Sequence, residues 1–267
     1  MARPVIALLT DFGTRDHYAG AMRGVALGIC PDATLVDVTH DVEPQDVLGG
    51  ALELAAAFKY FPPGTIFLAV VDPGVGSSRR GIAAEAGGYK FVAPDNGLLT
   101  MVFREVLPKR VVELTERRYA RPTVSRTFEG RDRFAPAAAW LAKGIDLTAL
   151  GRPLTAWHVL HIPEPTCAEG RIAGEVLRVD RFGNLVTNID RKTFERMALA
   201  DAGGPLQIQI GSHQVAKVVS TFADAALGEL CALVGSSDHL EIAANGASAA
   251  AVLDLGRGAP VHVARRA

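Results

Sequence analysis

The 267-residue sequence lacks the features of several protein classes. Lys and Arg number 28 against 29 for Asp and Glu, so it has no basic surplus for binding nucleic acid. Asp11 ends the first apolar run before it could form a signal-peptide core or a membrane span. Its three cysteines (Cys30, Cys167 and Cys231) are scattered, which argues against a disulfide framework or a structural zinc site. We therefore expect a cytoplasmic enzyme that binds neither nucleic acid nor membrane.

The composition itself is that of an ordinary globular protein, with 49% hydrophobic and 21% charged residues. In the first part of the chain, apolar runs alternate with helix-like segments. The predicted strands are Val5–Thr10, Thr34–Val38 and Thr65–Val71, and the predicted helices are Tyr18–Ile29 and Val47–Phe61. Strands buried on both faces and separated by helices predict an α/β fold, a mainly parallel sheet with helices on both faces. Ile82–Glu85 and Tyr89–Val92, joined by two glycines, predict an added hairpin.

The pattern changes after about residue 163, where short alternating segments are separated by glycines and polar turns. This pattern predicts a smaller, antiparallel β-barrel domain. Its predicted strands are Ile172–Val179, Leu206–Ile210, Ala216–Val219, Leu230–Val234, His239–Ala243 and Pro260–Ala264. We place the boundary at the linker Pro163-Glu164-Pro165, which gives an α/β domain of residues 1–165 and a barrel domain of residues 166–267.

Acidic residues follow the predicted parallel strands. Asp11, Asp37 and Asp72 each lie at or just beyond a strand end. One such residue by itself usually caps a helix or forms a turn, but ligands of parallel sheets bind at this edge, and the cluster predicts a shared site. A metal held by Asp37, His40 and Asp41 is a minor alternative, and capping or turn roles are favoured for these three.

The most distinctive stretch runs from Asp72 to Arg80 and reads Asp-Pro-Gly-Val-Gly-Ser-Ser-Arg-Arg. It has neither the lysine of a Walker loop nor a GxGxxG pattern that opens a helix. Its proline and glycines allow the chain to double back, so that Arg79 or Arg80 can return toward Asp72. Such a pair could serve catalysis or only brace the loop.

Six motifs then occur in order: Thr10-Asp11-Phe12-Gly13, Asp72-Pro73-Gly74-Val75-Gly76, Ala93-Pro94-Asp95-Asn96-Gly97, Phe128-x-Gly130-Arg131-Asp132, Asp180-x-Phe182-Gly183-Asn184 and Thr187-Asn188. Together they resemble the S-adenosyl-L-methionine (SAM) hydroxide adenosyltransferase family, the hydrolytic relatives of fluorinase and chlorinase, over nearly the whole chain. The resemblance implies an α/β domain followed by a small β-barrel. It also implies that SAM is the substrate, with no cofactor and no metal. It further implies a homotrimer, in which each site lies between the N-terminal domain of one subunit and the C-terminal domain of its neighbour.

The resemblance also assigns substrate-binding residues. Asp11 matches the acid that accepts hydrogen bonds from the two ribose hydroxyls, as a carboxylate can. Asp16 and Asp180 match acids near the methionine ammonium group. The other matched residues contact the sugar, the adenine or the methionine carboxylate: Phe182, Asn184, Phe222, Ser236, Ser237, Asn245 and Gly246.

The chemistry implied is attack by water on C5′ of SAM, which releases adenosine and methionine. The family's catalytic Asp and Arg match Asp72 and Arg79, but Glu129 stands where the family has His. Glutamate can accept a proton or orient Arg79, yet it adds negative charge beside Asp72. Arg79 would offset that repulsion if it lay between the two acids.

Three alternatives follow. The Glu129 change motivates a SAM- or adenosine-binding protein with little turnover. Halogenation by chloride or fluoride is disfavoured by the acid at position 72, because the halogenating relatives lack it. Methyl transfer is least favoured, since the chain has no glycine-rich SAM-binding loop of the Rossmann kind.

Overall fold

The buried apolar runs of the N-terminal half form a seven-stranded sheet. The computed structural model describes residues 3–199 and 204–265, and the chain divides into two compact units, Met1–Leu160 and His161–Ala267. The strands of the first unit are β1 (Val5–Thr10), β2 (Thr34–Thr39), β3 (Ile66–Val70), β4 (Gly81–Ala86), β5 (Tyr89–Pro94), β6 (Pro108–Leu114) and β7 (Gly151–Pro153).

The sheet has the order β2-β1-β3-β5-β4-β6-β7. Strand β1 is parallel to β2 and to β3, and β3 is parallel to β5. The pairs β4–β5, β4–β6 and β6–β7 are antiparallel. The predicted parallel sheet and its added hairpin are therefore confirmed, and the hairpin continues into an antiparallel edge that the sequence patterns did not indicate.

Helices cover both faces of this sheet, as predicted. They are α1 (Tyr18–Ile29), α2 (Val47–Phe58), α3 (Thr100–Glu105) and α4 (Ala135–Ala142). Ile6 and Leu8 of β1 belong to the apolar core that includes α1 and α4. The intervening residues Ala7 and Leu9 belong to the core that includes α2 and α3. The alternation of side chains along a strand thus feeds two separate apolar layers.

The described residues of the C-terminal unit, 161–199 and 204–265, form eight strands that pair antiparallel to one another. They are β8 (Thr166–Ala168), β9 (Arg171–Val179), β10 (Leu185–Asp190), β11 (Leu206–Ile210), β12 (His213–Val215), β13 (Leu230–Val234), β14 (His239–Ala244) and β15 (Pro260–Arg265). Two helices, α5 (Arg191–Ala198) and α6 (Ala249–Leu253), accompany them.

These strands form a nearly closed barrel. The main path runs β12-β11-β15-β9-β10-β14-β13, with β8 beside β9. An isolated β-bridge between Val218, just after the edge strand β12, and Ala232 of the other edge strand, β13, links the two edges. The predicted antiparallel barrel is confirmed, but the predicted strand at Ala216–Val219 is wrong. The turn at Gly211 reverses the chain earlier, so His213 pairs directly with Ile210.

Within residues 3–199 and 204–265, no helix combines the length and apolar character needed to cross a bilayer.

Candidate active site

The first and third strands deliver two acids to one edge of the N-terminal sheet. Thr10 of β1 lies opposite Val70 of the parallel strand β3, so the turns that follow them leave the sheet side by side. Asp11 follows Thr10 directly, and Asp72 lies two residues after Val70. Burial and then the nearby charge of Asp72 raise the pKa of Asp11 above its ordinary value, against the lowering effect of the Gln45 N–H. The two acids are therefore electrostatic neighbours.

Arg79 lies between two carboxylates. Its Nε donates to Asp72 Oδ1 at 2.8 Å and to Oδ2 at 3.0 Å. Its Nη2 contacts both Asp72 Oδ2 and Glu129 Oε2. The three side chains are largely buried, with 9% of Arg79, 5% of Asp72 and 15% of Glu129 exposed. One cation thus offsets the repulsion between two acids that are removed from bulk water.

The loop between Asp72 and Arg79 folds tightly enough to make this contact. Val75 N donates to Asp72 O at 3.2 Å, and Ser77 Oγ donates to Gly74 O at 2.7 Å. Gly76 has a φ of +76°, and a Cβ there would lie 2.4 Å from the carbonyl oxygen of Arg126. Only glycine satisfies both requirements. The loop therefore packs directly on the segment that leads to Glu129.

The buried charges also raise the basicity of the guanidinium. Burial by itself lowers the pKa of Arg79, but the hydrogen bonds and charges of Asp72 and Glu129 outweigh it, and the pKa lies above its ordinary value. Arg79 consequently remains a cation throughout the physiological pH range and acts as a hydrogen-bond donor, not as a base.

The neighbouring Arg80 has a different partner. Its Nε donates to Asp95 Oδ2 at 2.8 Å, and its Nη2 donates to Ala156 O at 3.1 Å. Asp95 Oδ1 in turn accepts from His158 N at 2.7 Å. Of the two arginines that the sequence left open, Arg79 joins the acid cluster and Arg80 braces a separate pair of segments.

Glu129 precedes a single π-helical turn, Gly130–Phe134, which leads into α4. Such turns recur at functional sites because they displace one residue from the regular helical ladder. The turn is anchored by Asp132, which is fully buried and accepts from Arg131 Nε at 2.7 Å and from Ser125 N at 2.9 Å. Arg133 Nη1 lies 3.5 Å from Glu129 Oε1, so the glutamate faces a second cation.

Two cavities meet at Glu129. The first has a volume of about 160 Å³ and is lined by Phe12, Tyr18, Val70, Asp72, Val75, Thr127, Phe128, Glu129 and Gly130. Phe128 contacts both other rings of this pocket, with centroid distances of 6.0 Å to Phe12 and 5.1 Å to Tyr18. A second cleft of about 340 Å³ is bordered by Glu129 and Arg133 and reaches the exposed residues Glu116 and Arg117. The acids of the cluster therefore face an aromatic pocket that can exclude bulk water.

Asp11 and Asp16 occupy different environments. Asp11 is partly buried, and its Oδ2 accepts from Gln45 N at 2.8 Å. Asp16 is exposed in the loop before α1. The structure thus brings Asp11, Asp72, Arg79 and Glu129 to one sheet edge, whereas it leaves Asp16 at the surface.

In the C-terminal unit, four of the matched residues share a cleft of about 600 Å³. Its lining residues are Phe182, Asn184, Phe222, Ala244, Gly246, Ala247 and Ser248. Phe182 is 78% exposed, and such an apolar ring at a cleft is a candidate stacking surface. Asp180 builds the turn behind it, because its Oδ1 accepts from Phe182 N at 2.9 Å and from Asn184 N at 2.8 Å.

The remaining matched residues lie elsewhere in this unit. Asn245 directs its Nδ2 to Ala225 O at 2.7 Å, so its side chain fixes a loop and does not line the cleft. Ser236 is exposed, and Ser237 Oγ lies 3.4 Å from Glu241 Oε1. Glu241 is buried, and burial followed by the charge of Asp180 raises its pKa.

Sequence reasoning missed some of these residues. The sequence patterns place Glu241 in an ordinary barrel strand, whereas the structure buries its carboxyl group beside Ser237. The sequence patterns predict Tyr18 only as the first residue of a helix, whereas in the structure it lines the aromatic pocket. The sequence carries no signal for either placement, because Tyr18 meets the distant Phe128 and Glu241 lies near the charge of the distant Asp180.

Asp37, His40 and Asp41 are the three residues of the metal alternative. Within residues 3–199 and 204–265, no group of three or more His, Cys, Asp or Glu side chains is arranged to hold a metal ion. His40 is buried and hydrogen-bonded to Thr10 and Asp37, and Asp41 is exposed. Asp37, His40 and Asp41 therefore do not converge on a common point.

Comparisons with known proteins cover both units. Residues 6–151 match the family model of the SAM hydroxide adenosyltransferase N-terminal domain, and residues 174–262 match that of its C-terminal domain. An (R)-S-adenosyl-L-methionine hydrolase from Salinispora tropica is 40% identical over 264 residues, which cover 97% of each chain. A fluorinase from Actinoplanes sp. is 31% identical over 294 residues, 98% of each chain. The crystal structure of an uncharacterized conserved protein from Thermotoga maritima has a TM-score of 0.91 and 38% identity, covering 97% of this chain and 100% of that one.

Proposed function

The chain belongs to the SAM hydroxide adenosyltransferase family, and we propose that it hydrolyses SAM to adenosine and L-methionine by attack of water at C5′ of the ribose. The observation that carries this proposal is the buried Asp72–Arg79–Glu129 cluster beside an aromatic pocket. A cluster that needed only to brace a loop would have no reason to face a cavity.

The reaction requires little acid catalysis. The oxygen of water forms a bond to C5′ while the C5′–S bond breaks. The electron pair of the breaking bond stays on sulfur, which leaves as the neutral thioether of methionine. Because the sulfonium is already a good leaving group, the protein must mainly position and activate the water. We assign Asp72 as the acceptor of the water proton. Arg79 holds Asp72 in place, and Glu129 in turn holds Arg79 through Nη2.

Substrate recognition is assigned to the matched residues. Asp11 accepts hydrogen bonds from the ribose hydroxyls, and Asp16 and Asp180 bind the methionine ammonium group. In the C-terminal unit the residues assigned to the sugar, adenine and methionine carboxylate are Phe182, Asn184, Phe222, Ser236, Ser237, Asn245 and Gly246. The shared cleft of Phe182, Asn184, Phe222 and Gly246 supports the adenine assignment most directly.

We further propose that the chain works as a homotrimer in the cytoplasm, with SAM as substrate and without a cofactor or metal. The α/β domain of residues 1–165 carries the chemistry, and the barrel domain of residues 166–267 completes substrate recognition. The near-zero net charge supports a small-molecule substrate over nucleic acid.

The proposal is tested by separating the products formed from each configuration of SAM at sulfur. The relative from Salinispora tropica is named for the (R) form, so we expect this chain to convert (R)-SAM to adenosine and methionine faster than it converts the (S) form. Chloride and fluoride should leave the products unchanged. SAM binding without adenosine would favour the binding-protein alternative, and 5′-halogenated adenosine would favour halogenation.

Replacing Glu129 with the family's histidine is expected to lower kcat, because an imidazole would lose the acceptor oxygens that face Arg79 and Arg133. Adding Arg133→Leu to Glu129→His should raise kcat about three- to tenfold above that of Glu129→His alone, the range expected for coupled neighbours. The measurement is a double-mutant cycle on kcat. Strictly additive effects would show that Arg133 does not compensate for the charge of Glu129.

A further inference from the structure

Four polar side chains form a continuous chain beneath the turn that carries Asp11. Thr10 Oγ1 lies 2.7 Å from His40 Nδ1, and His40 Nε2 lies 3.0 Å from Asp37 Oδ1. Arg23 of α1 donates through Nε to Asp37 Oδ1 at 3.1 Å and also contacts Asp37 Oδ2 through Nη2. The chain therefore joins α1 to the ends of β1 and β2.

Thr10, His40 and Asp37 follow one another as a nucleophile, a base and an orienting acid would, but the burial of Thr10 excludes that use. Thr10 is 0% exposed, and its Oγ1 accepts from Phe12 N at 3.2 Å. A hydroxyl that is enclosed and engaged in this way cannot attack a substrate. The hydroxyl oxygen instead accepts a hydrogen bond from the backbone of the turn that carries Asp11.

Arg23 and Asp37 form the charged end of this hydrogen-bonded chain. Burial raises the pKa of Asp37, but hydrogen bonds from Arg23 and His40 outweigh it, so the pKa lies below its ordinary value. His40 Nε2 faces both Asp37 Oδ1 and Arg23 Nη2, which lies 3.1 Å away, and His40 Nδ1 faces the Thr10 hydroxyl. The Thr10 oxygen is then oriented to accept from Phe12 N.

The loop after β2 contacts the turn that carries Asp11 at two more points. Gly13 N donates to His40 O at 2.7 Å, and Gly13 has a φ of +65°. Gln45 N donates to Asp11 Oδ2 at 2.8 Å, and Gln45 also has a positive φ, 68°. A non-glycine residue in this region costs free energy that the surrounding structure must supply. The backbone around Asp11 is thus fixed from both sides before any ligand is present.

We propose that Thr10 and His40 are positioning residues that orient Asp11 for the ribose diol. The proposal rests on the proposed function, in which Asp11 binds the two ribose hydroxyls. Neither residue touches the ligand. They act by holding the turn so that the free oxygen lone pairs of Asp11 point toward the hydroxyls, which lowers the ordering cost of binding.

The test compares adenosine with 2′,3′-dideoxyadenosine, which lacks both hydroxyls, by isothermal titration on the full chain. Thr10→Val retains the shape but removes the hydroxyl. We expect it to weaken adenosine about tenfold, the effect of one well-placed hydrogen bond, and to leave dideoxyadenosine within about twofold of wild type. Thr10→Ser should restore adenosine binding, and Thr10→Val should add nothing in an Asp11→Ala background.

Two further variants separate positioning from a general loss of stability. Thr65→Val removes an equally buried hydroxyl at the opposite end of β3, where it donates to Pro62 O, and should leave both ligands unaffected. Asp37→Asn alters the hydrogen-bonded chain at a partly exposed side chain, and it should also weaken adenosine more than dideoxyadenosine. An equal loss of both ligands in Thr10→Val, or no loss of either, would overturn the positioning role. Equal binding of both ligands by wild type would overturn the diol assignment of Asp11 as well.

Discussion

Replacing Asp72 with asparagine is expected to lower kcat about 10²- to 10⁴-fold, the usual contribution of a positioned acid or base, while the Kd for SAM stays within about threefold. The amide keeps the shape of the side chain but cannot take the proton from water. Arg79 still has Glu129 as a partner, so no cation is left unpaired. The measurement is single-turnover release of adenosine at saturating SAM, alongside direct titration of SAM.

The Asp95–Arg80 pair provides a matched control. Asp95 is also a buried acid, and it pairs with Arg80, the residue next to Arg79. Asp95→Asn removes the same charge from the same kind of pair outside the aromatic pocket, and it should leave kcat within about threefold of wild type. Arg79→Ala should abolish turnover, whereas Arg80→Ala should not. Equal losses in the two pairs would mean that Asp72 only braces the loop.

Replacing Asp11 with alanine is expected to weaken adenosine about 100-fold, because two hydrogen bonds to a charged acceptor are lost at about 1.5 kcal/mol or more each. SAM should weaken by a similar factor, since both molecules carry the diol. The affinity of 2′,3′-dideoxyadenosine for the same variant should be nearly unchanged. A parallel loss for the dideoxy compound would place Asp11 in a purely structural role.

The raised pKa of Asp11 adds a pH dependence with a defined sign. Burial and Asp72 disfavour the ionised carboxylate in the fold, so Asp11 costs stability at pH values above its unfolded pKa. Asp11→Asn should therefore raise the Tm at pH 7, and the gain should vanish as the pH falls below about 4. In wild type, adenosine affinity should decline on acidification at a higher pH than an ordinary aspartate would give.

The sequence predicted most of the architecture because the buried strands are uninterrupted apolar runs. The first three strands and their helices follow directly from that pattern. Strand β10 was not predicted, because it contains Thr187 and Asn188, which are buried polar residues. Thr187 Oγ1 donates to Leu240 O at 2.8 Å, and Asn188 Nδ2 donates to Pro163 O at 3.1 Å. These long-range hydrogen bonds satisfy the two buried polar side chains, and no local sequence pattern predicts them.

The site was predictable in part. The position of acids at parallel strand ends indicates a shared edge, and the resemblance assigns Asp72. The choice between Arg79 and Arg80 required the loop, because a difference of one residue reverses the direction of the side chain. Arg133 illustrates what remained hidden. Its distance of 3.5 Å from Glu129 depends on the π-helical turn between them, so the sequence indicates Arg79 as a compensating cation for this glutamate but not Arg133.

The source of the oxygen in adenosine tests the proposed chemistry most directly. Purified protein is incubated with SAM in ¹⁸O-labelled water, and the products are separated and weighed by mass spectrometry, with Asp72→Asn as the inactive control. Attack of water at C5′ predicts adenosine that carries one ¹⁸O at its 5′ oxygen, released together with unlabelled methionine. Adenosine without the label, or a 5′-substituted adenosine in its place, would contradict hydrolysis at C5′.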